Sequence, residues 1–216
     1  MRRAALVWVL LAAGAPAQAA DTVSALVPAG QWNFRALLDG SPIGEHRFSV
    51  TATGDERRVV SEAAFDVKFL GITAYRYRHK ATEQWRGDCL TALDSTTDDD
   101  GKPSRVQARR EGDAFNVTGG IESAVHPGCV MSFAYWNPAI ATQSQLLNAQ
   151  NGKFEKVRVQ RVGTGSVEVR GKPVNATEYR ISRATETISV WYSLQGDWLG
   201  LDSTVAGGRK LSYRLQ

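Results

Sequence analysis

YRYRHKATEQW, Tyr75 to Trp85, decides the fold. Its odd positions are Tyr75, Tyr77, His79, Ala81, Glu83 and Trp85, and its even positions are Arg76, Arg78, Lys80, Thr82 and Gln84. Successive side chains of a strand point to opposite faces, so this segment is a β-strand with an aromatic face and a basic face. The preceding run, Val59 to Phe69, alternates in the same way. With Leu70-Gly71-Ile72 as the turn, Ala63 falls opposite His79, Phe65 opposite Tyr77 and Val67 opposite Tyr75. On the other face Glu62 meets Lys80 and Asp66 meets Arg76. Apolar matches apolar and acid matches base, which makes the basic ladder a solvated face with cross-strand partners.

The same period recurs along the chain. Trp32, Phe34, Ala36 and Leu38 alternate with polar neighbours, as do His46, Phe48, Val50 and Ala52, and the turn formers DGSPIG lie between them. They predict a hairpin with Phe34 opposite Phe48 and Ala36 opposite His46, which places His46 on the inner face. Further strands are expected at Leu90–Ser95, Pro103–Arg110, Ala114–Thr118, Cys129–Phe133, Phe154–Val162, Ser166–Arg170, Ala176–Arg183, Thr187–Leu194, Trp198–Val205 and Lys210–Leu215. The short turns DDDGK, REGD, VGTG, RGKP, LQGDW and AGGRK join them. One segment differs: Asn137-Pro138 offers a cap and a first-turn proline, and the spacing of Ile140, Leu146 and Leu147 predicts one short amphipathic helix from Pro138 to Gln150. The expected fold class is mainly β, an antiparallel up-and-down meander curled into a barrel or half-barrel, with the helix as a lid.

Residues 1–19 read as a secretory signal peptide, with Arg2 and Arg3, the apolar run Ala4 to Ala13 and Ala17-Gln18-Ala19. The run is too short to span a bilayer as a helix, and no cysteine stands at the cleavage point for an acyl anchor. Residues 20–216 are expected to form a single domain, periplasmic or secreted after cleavage, with no integral membrane span. Removing Arg2 and Arg3 lowers the formal net charge from +4 to +2, which gives nucleic-acid binding no electrostatic footprint. Cys89 and Cys129 read as a disulfide in an oxidising compartment. The competing reading is a nucleophilic thiol, with His126 three residues before Cys129.

Motif chemistry is thin. His79 and Glu83 share a strand face but are four residues apart, roughly 13 Å along a strand and out of reach for direct proton exchange. His46 and His79 flank Ala63, roughly 10 Å apart across one strand, which is long for a shared metal. TTDDDGKPSRVQ, Thr96 to Gln107, places Asp98, Asp100 and Gly101 like a calcium loop, yet its twelfth position is Gln107 where a bidentate Glu is expected, so an acidic hairpin turn is the better reading. Arg86-Gly87-Asp88 reads as a strand-linking turn. No metal or cofactor is expected. Trp136, Trp191 and Trp198 join the aromatic faces as core or cleft residues.

The segments WNFRALLDGSPIGEHRFSV, FDVKFLGITAYRYRHKATEQWRGDCL, CVMSFAYWNP and VWYSLQGDWLGLDSTVAGGRKLSYRLQ resemble an uncharacterised family of bacterial exported β-proteins, a domain of unknown function. The architecture they imply is similar to that of the lipoprotein-localisation factors, whose half-barrels bind acyl chains. The function expected is non-catalytic binding of an apolar or amphipathic small molecule, a lipid or acyl chain, in the concave sheet. Trp32, Phe34, Phe48, Phe65, Tyr75, Tyr77 and Trp85 are its candidate wall. The alternatives are an envelope hydrolase of glycans or esters, with Glu83 or His79 as general base, and a structural protein that binds another envelope protein.

Overall fold

The computed structural model describes residues 29–216 apart from residue 185, so the signal-peptide reading lies outside the described residues. Thirteen strands form one antiparallel meander. Its first half runs β1 (Gly30–Leu38), β2 (Ser41–Thr53), β3 (Glu56–Phe69), β4 (Ile72–Arg86), β5 (Cys89–Asp99), β6 (Lys102–Glu111), β7 (Ala114–Gly119) and β8 (Ala124–Pro127). A separate two-stranded sheet follows, β9 (Gln145–Leu147) with β10 (Phe154–Lys156). The second half runs β11 (Arg158–Val169), β12 (Lys172–Ser182), β13 (Thr187–Tyr192), β14 (Trp198–Thr204) and β15 (Lys210–Leu215). β15 pairs with β1, which joins the halves, and Val169 of β11 pairs in parallel with Leu215 of β15, which closes β11–β15 into a partial ring.

The deciding stretch takes the expected register: Ala63 opposite His79, Phe65 opposite Tyr77, Val67 opposite Tyr75 and Glu62 opposite Lys80. The β1–β2 hairpin differs. Its turn is the two residues Asp39-Gly40, and a bulge follows Ala36, so Phe34 faces His46 and Trp32 faces Phe48. A slip of two keeps every side chain on its face, and His46 remains inward.

The larger corrections fall in the middle of the chain. The expected helix is a single 3-10 turn, Pro138–Thr142, capped by the Asn137 side chain accepting from the Ala139 amide at 3.0 Å, and the chain then extends into β9. The expected strand Cys129–Phe133 is irregular, with one bridge from Ser132 to Leu147. Residues 129 to 148 cross the concave face as a plug, burying Val130, Met131, Ala134, Trp136, Ile140, Leu146 and Leu147. The Cys89–Cys129 disulfide, with its Cα atoms 5.1 Å apart, ties the plug to β5, and the Leu90 amide donates to the Val130 carbonyl at 2.8 Å beside it. VGTG is not a turn. Val162 to Gly165 lies within β11, where Gly163 sits at a bulge and Gly165 leaves room for the Trp191 ring, 3.0 Å from where a Cβ would stand.

Candidate functional site

The inner aromatic face divides along its length. Trp85 is buried and meets Trp136 of the plug edge-on, with ring centroids 5.3 Å apart. Phe34 and Phe48 are buried against Trp198 at 4.2 and 5.0 Å. Trp32 is half-buried and packs on the same core. Of the seven expected wall residues, Trp85, Phe34 and Phe48 are therefore core, covered by the chain's own side chains, and the trough expected there is filled.

The other end is open. β2 leaves β3 at Gly44 opposite Phe65, and β5 leaves β4 at Asp99 opposite Tyr77. Beyond those points β3 and β4 continue as a ribbon of two strands, with the pairs Asp66–Arg76, Val67–Tyr75, Lys68–Thr73 and Phe69–Ile72. Phe65 is 7% exposed and stacks on half-buried Tyr77 at 5.5 Å, whereas Tyr75 is 36% exposed. At the tip exposure rises to 70% for Phe69, 86% for Leu70 and 73% for Ile72. Phe65, Val67, Tyr75 and Tyr77 form one apolar strip leading out of the core. Tyr75 anchors its outer edge by donating its hydroxyl to Asp99 at 2.6 Å.

The opposite face of the ribbon is charged and internally paired. Lys80 meets Glu62 at 2.6 Å, Arg78 donates to both Asp66 oxygens at 3.0 and 2.9 Å, and Arg76 meets Asp98 at 3.2 Å. Glu62, Arg78, Lys80 and Asp98 line a surface concavity of about 600 Å³ with Thr96 and Arg105. With three bases matched by three acids, exposed pairs of this kind are each worth about 0.2 to 1 kcal/mol.

The buried titratable groups do not converge. Glu83 lies under the plug, where it accepts from the Ser132 hydroxyl at 2.7 Å and the Trp85 indole at 3.0 Å, and burial raises its pKa. It fastens the plug. His79 bonds Thr97 at 2.9 Å, and burial depresses its pKa to about 4. His46 lies between Ser61 at 2.8 Å and Tyr213 at 3.2 Å, and burial, then the field of His79, take it to about 3. The Ser61–His46 contact looks like a nucleophile and its base, but a base so depressed is mismatched to neutral pH, and its second nitrogen meets a phenol where a carboxylate would orient it. Among the described residues no three His, Cys, Asp or Glu side chains gather to hold a metal ion, and no helix is long and apolar enough to cross a membrane. His126 bonds Gln145 at 2.8 Å, and Cys129 is oxidised. Thr96–Gln107 is the β5–β6 hairpin, turning at Asp100-Gly101, and Arg86-Gly87-Asp88 links β4 to β5.

Residues 34–216 match the model of a domain of unknown function, DUF6134, and the chain belongs to that family. A search among curated proteins returns no match. Among solved structures the chain is similar to the beta-barrel-like protein of domain of unknown function DUF1849 from Brucella abortus. The TM-score is 0.63 at 12% identity, over 87% of this chain and 95% of that one, a likeness of fold alone.

Proposed function

We propose that the protein is an exported, non-catalytic binding protein that holds an apolar or amphipathic ligand, a lipid or acyl chain, against the open end of its aromatic face. The observation that carries this reading is the strip Phe65, Val67, Tyr75 and Tyr77, which is continuous with the core yet lies where β3 and β4 lose their neighbouring strands. Val67, Tyr75 and the open part of Tyr77 offer apolar area to a ligand, with buried Phe65 as their floor, at about 25 cal/mol per Å² removed from water, less the cost of ordering the ligand. Tyr75 and Tyr77 add rigid rings with few rotamers to freeze. The plug covers the lower trough, where Trp85, Phe34 and Phe48 are buried, which favours the open end as the ligand's place. The disulfide and the signal-like residues 1–19 favour an oxidising compartment outside the cytoplasm.

The test is titration of a fluorescent long-chain acyl probe. Wild-type protein is expected to saturate at one probe per chain, and Val67→Asp to lose binding at least tenfold with an unchanged melting temperature, since Val67 stands on the ribbon outside the packed core. Equal affinity in Val67→Asp would refute the assignment.

A further inference from the structure

The tip of the β3–β4 ribbon is built unlike the other turns of its kind. Four tight turns carry a non-glycine residue at positive φ followed by glycine: Asp39-Gly40, Leu70-Gly71, Asp100-Gly101 and Arg170-Gly171, with φ of 50, 50, 53 and 51° at the first residue. Aspartate tolerates this conformation, and at two of the turns it stands there, Asp39 accepting from Arg209 and the Lys210 amide and Asp100 from the Arg76 amide. At the third the residue is a solvated arginine. Leucine gains nothing from αL, leaves its side chain in water, and stands between two more exposed apolar residues, Phe69 and Ile72. Backbone strain and apolar exposure coincide at one apex that no other strand covers.

We propose that this apex, Phe69-Leu70-Gly71-Ile72, inserts into the interfacial layer of a lipid membrane. Three features of the ribbon select a bilayer over a protein partner. The first is polarity along its axis: apolar side chains occupy the apex; Lys68, Thr73 and Tyr75 follow; and the ion pairs of Asp66, Arg76, Arg78 and Asp98 come last. Apex and Tyr75 are about 10 Å apart at the rise of a strand, the scale over which a membrane passes from acyl chains to water. Tyrosine, part ring and part hydroxyl, suits the boundary, and Lys68, which has no ion pair among the described residues, can extend its ammonium to the headgroups. The second is area. Three exposed side chains on a turn offer on the order of 450 Å², well below the roughly 800 Å² per partner of a stable protein interface. The third is shape: a convex wedge needs a matching groove in a protein, whereas a fluid interface closes around it. Because Arg76, Arg78 and Lys80 are matched by acids and Lys68 leaves a single unmatched charge, insertion is expected to depend only weakly on anionic lipid and on salt. The inference uses residues beyond the proposed ligand strip and stands independently of it, though a tip seated in lipid would bring that strip to a source of acyl chains.

The experiment is sedimentation with phosphatidylcholine vesicles at low and high salt, using wild type, Leu70→Asp and Phe69→Trp. Leu70→Asp reproduces the Asp-Gly turn used twice elsewhere, so it is expected to fold. Wild type should pellet with vesicles at both salt concentrations, and Leu70→Asp should lose at least fivefold in partitioning. Phe69→Trp should shift its emission to the blue on adding vesicles and be quenched by brominated lipid chains. Val67→Asp, tested for acyl-probe binding above, separates the two claims: vesicle binding that survives in it supports the apex even if the strip holds nothing. Three results would overturn the proposal: wild type left in the supernatant, equal partitioning of Leu70→Asp, or binding that requires anionic lipid and vanishes with salt.

Discussion

The two ends of the β3–β4 hairpin carry the same alternation and meet different surroundings. At the Trp85 end, Ala81, Glu83 and Trp85 face a plug that supplies Trp136 and Ser132; Glu83 accepts from both Ser132 and Trp85, and the Trp136 indole nitrogen is buried without a hydrogen-bond partner among the described residues. At the Tyr75 end the pattern continues for four more residue pairs with no third strand beside it. Alternation therefore specifies a face, and only the tertiary neighbours decide whether that face becomes core or a surface that needs a partner. The lower end is packed core, and the upper end carries the proposed ligand surface.

Substitutions that should separate those roles fall in order of size. Trp136→Ala empties the plug's centre and should cost about 3 to 5 kcal/mol in chemical denaturation, with acyl-probe affinity changed only through unfolding. Replacing Cys89 and Cys129 together by serine frees the plug's anchor and should cost about 3 to 4 kcal/mol by the same measurement. The buried acid and bases predict opposite pH limbs. His46 and His79 have folded pKa values near 3 and 4, below the ordinary 6.5. Their contribution is complete above pH 6.5 and is lost as pH falls through the two folded values, so His79→Gln should flatten the acid limb of a melting-temperature profile. Glu83 is shifted upward from 4.5. Its neutral form is favoured in the fold, so its contribution is complete below pH 4.5 and declines as pH rises through the raised value; Glu83→Gln should remove that decline. Tyr75→Ala should change stability by less than about 1 kcal/mol while weakening the acyl probe severalfold. The smallest effect has the most telling sign: Leu70→Asp should stabilise the fold by a few tenths to about 1 kcal/mol, because it relieves αL strain while removing a side chain that packs against nothing.

Much of the scaffold was legible because strand period and turn chemistry are local. The β3–β4 register followed from matching apolar to apolar and acid to base at five residue pairs, and its Glu62–Lys80 bridge with it; beyond Val67–Tyr75 a bulge shifts the pairing by one, so Ile72 pairs with Phe69 and the turn is Leu70-Gly71 rather than Leu70-Gly71-Ile72. The β1–β2 register slipped because the proline and glycines of DGSPIG suggested a long loop where a two-residue turn and a bulge suffice. The plug was illegible for a different reason. Helical spacing of Ile140, Leu146 and Leu147 arises equally when an irregular chain is buried on nearly all sides, and its hydrogen bonds are with distant partners: the Ser132 hydroxyl donates to Glu83, and the Tyr192 hydroxyl donates to the Tyr135 carbonyl at 2.8 Å. Of the seven wall residues, Phe65, Tyr75 and Tyr77 belong to the candidate site. Val67 and the apex, which the proposals add, were not singled out, although Leu-Gly in a turn where Asp-Gly stands twice elsewhere was a readable signal.

The open end of the aromatic face is the proposed ligand surface. Its most direct test is mass spectrometry of organic extracts from wild type and Val67→Asp, each purified from the periplasm of an expression host without detergent and compared with a charge-matched control protein. A stoichiometric apolar molecule in the wild-type extract, absent from the control and depleted from folded Val67→Asp, is the result predicted here. An empty extract from folded wild type, or equal loading of the variant, would contradict it.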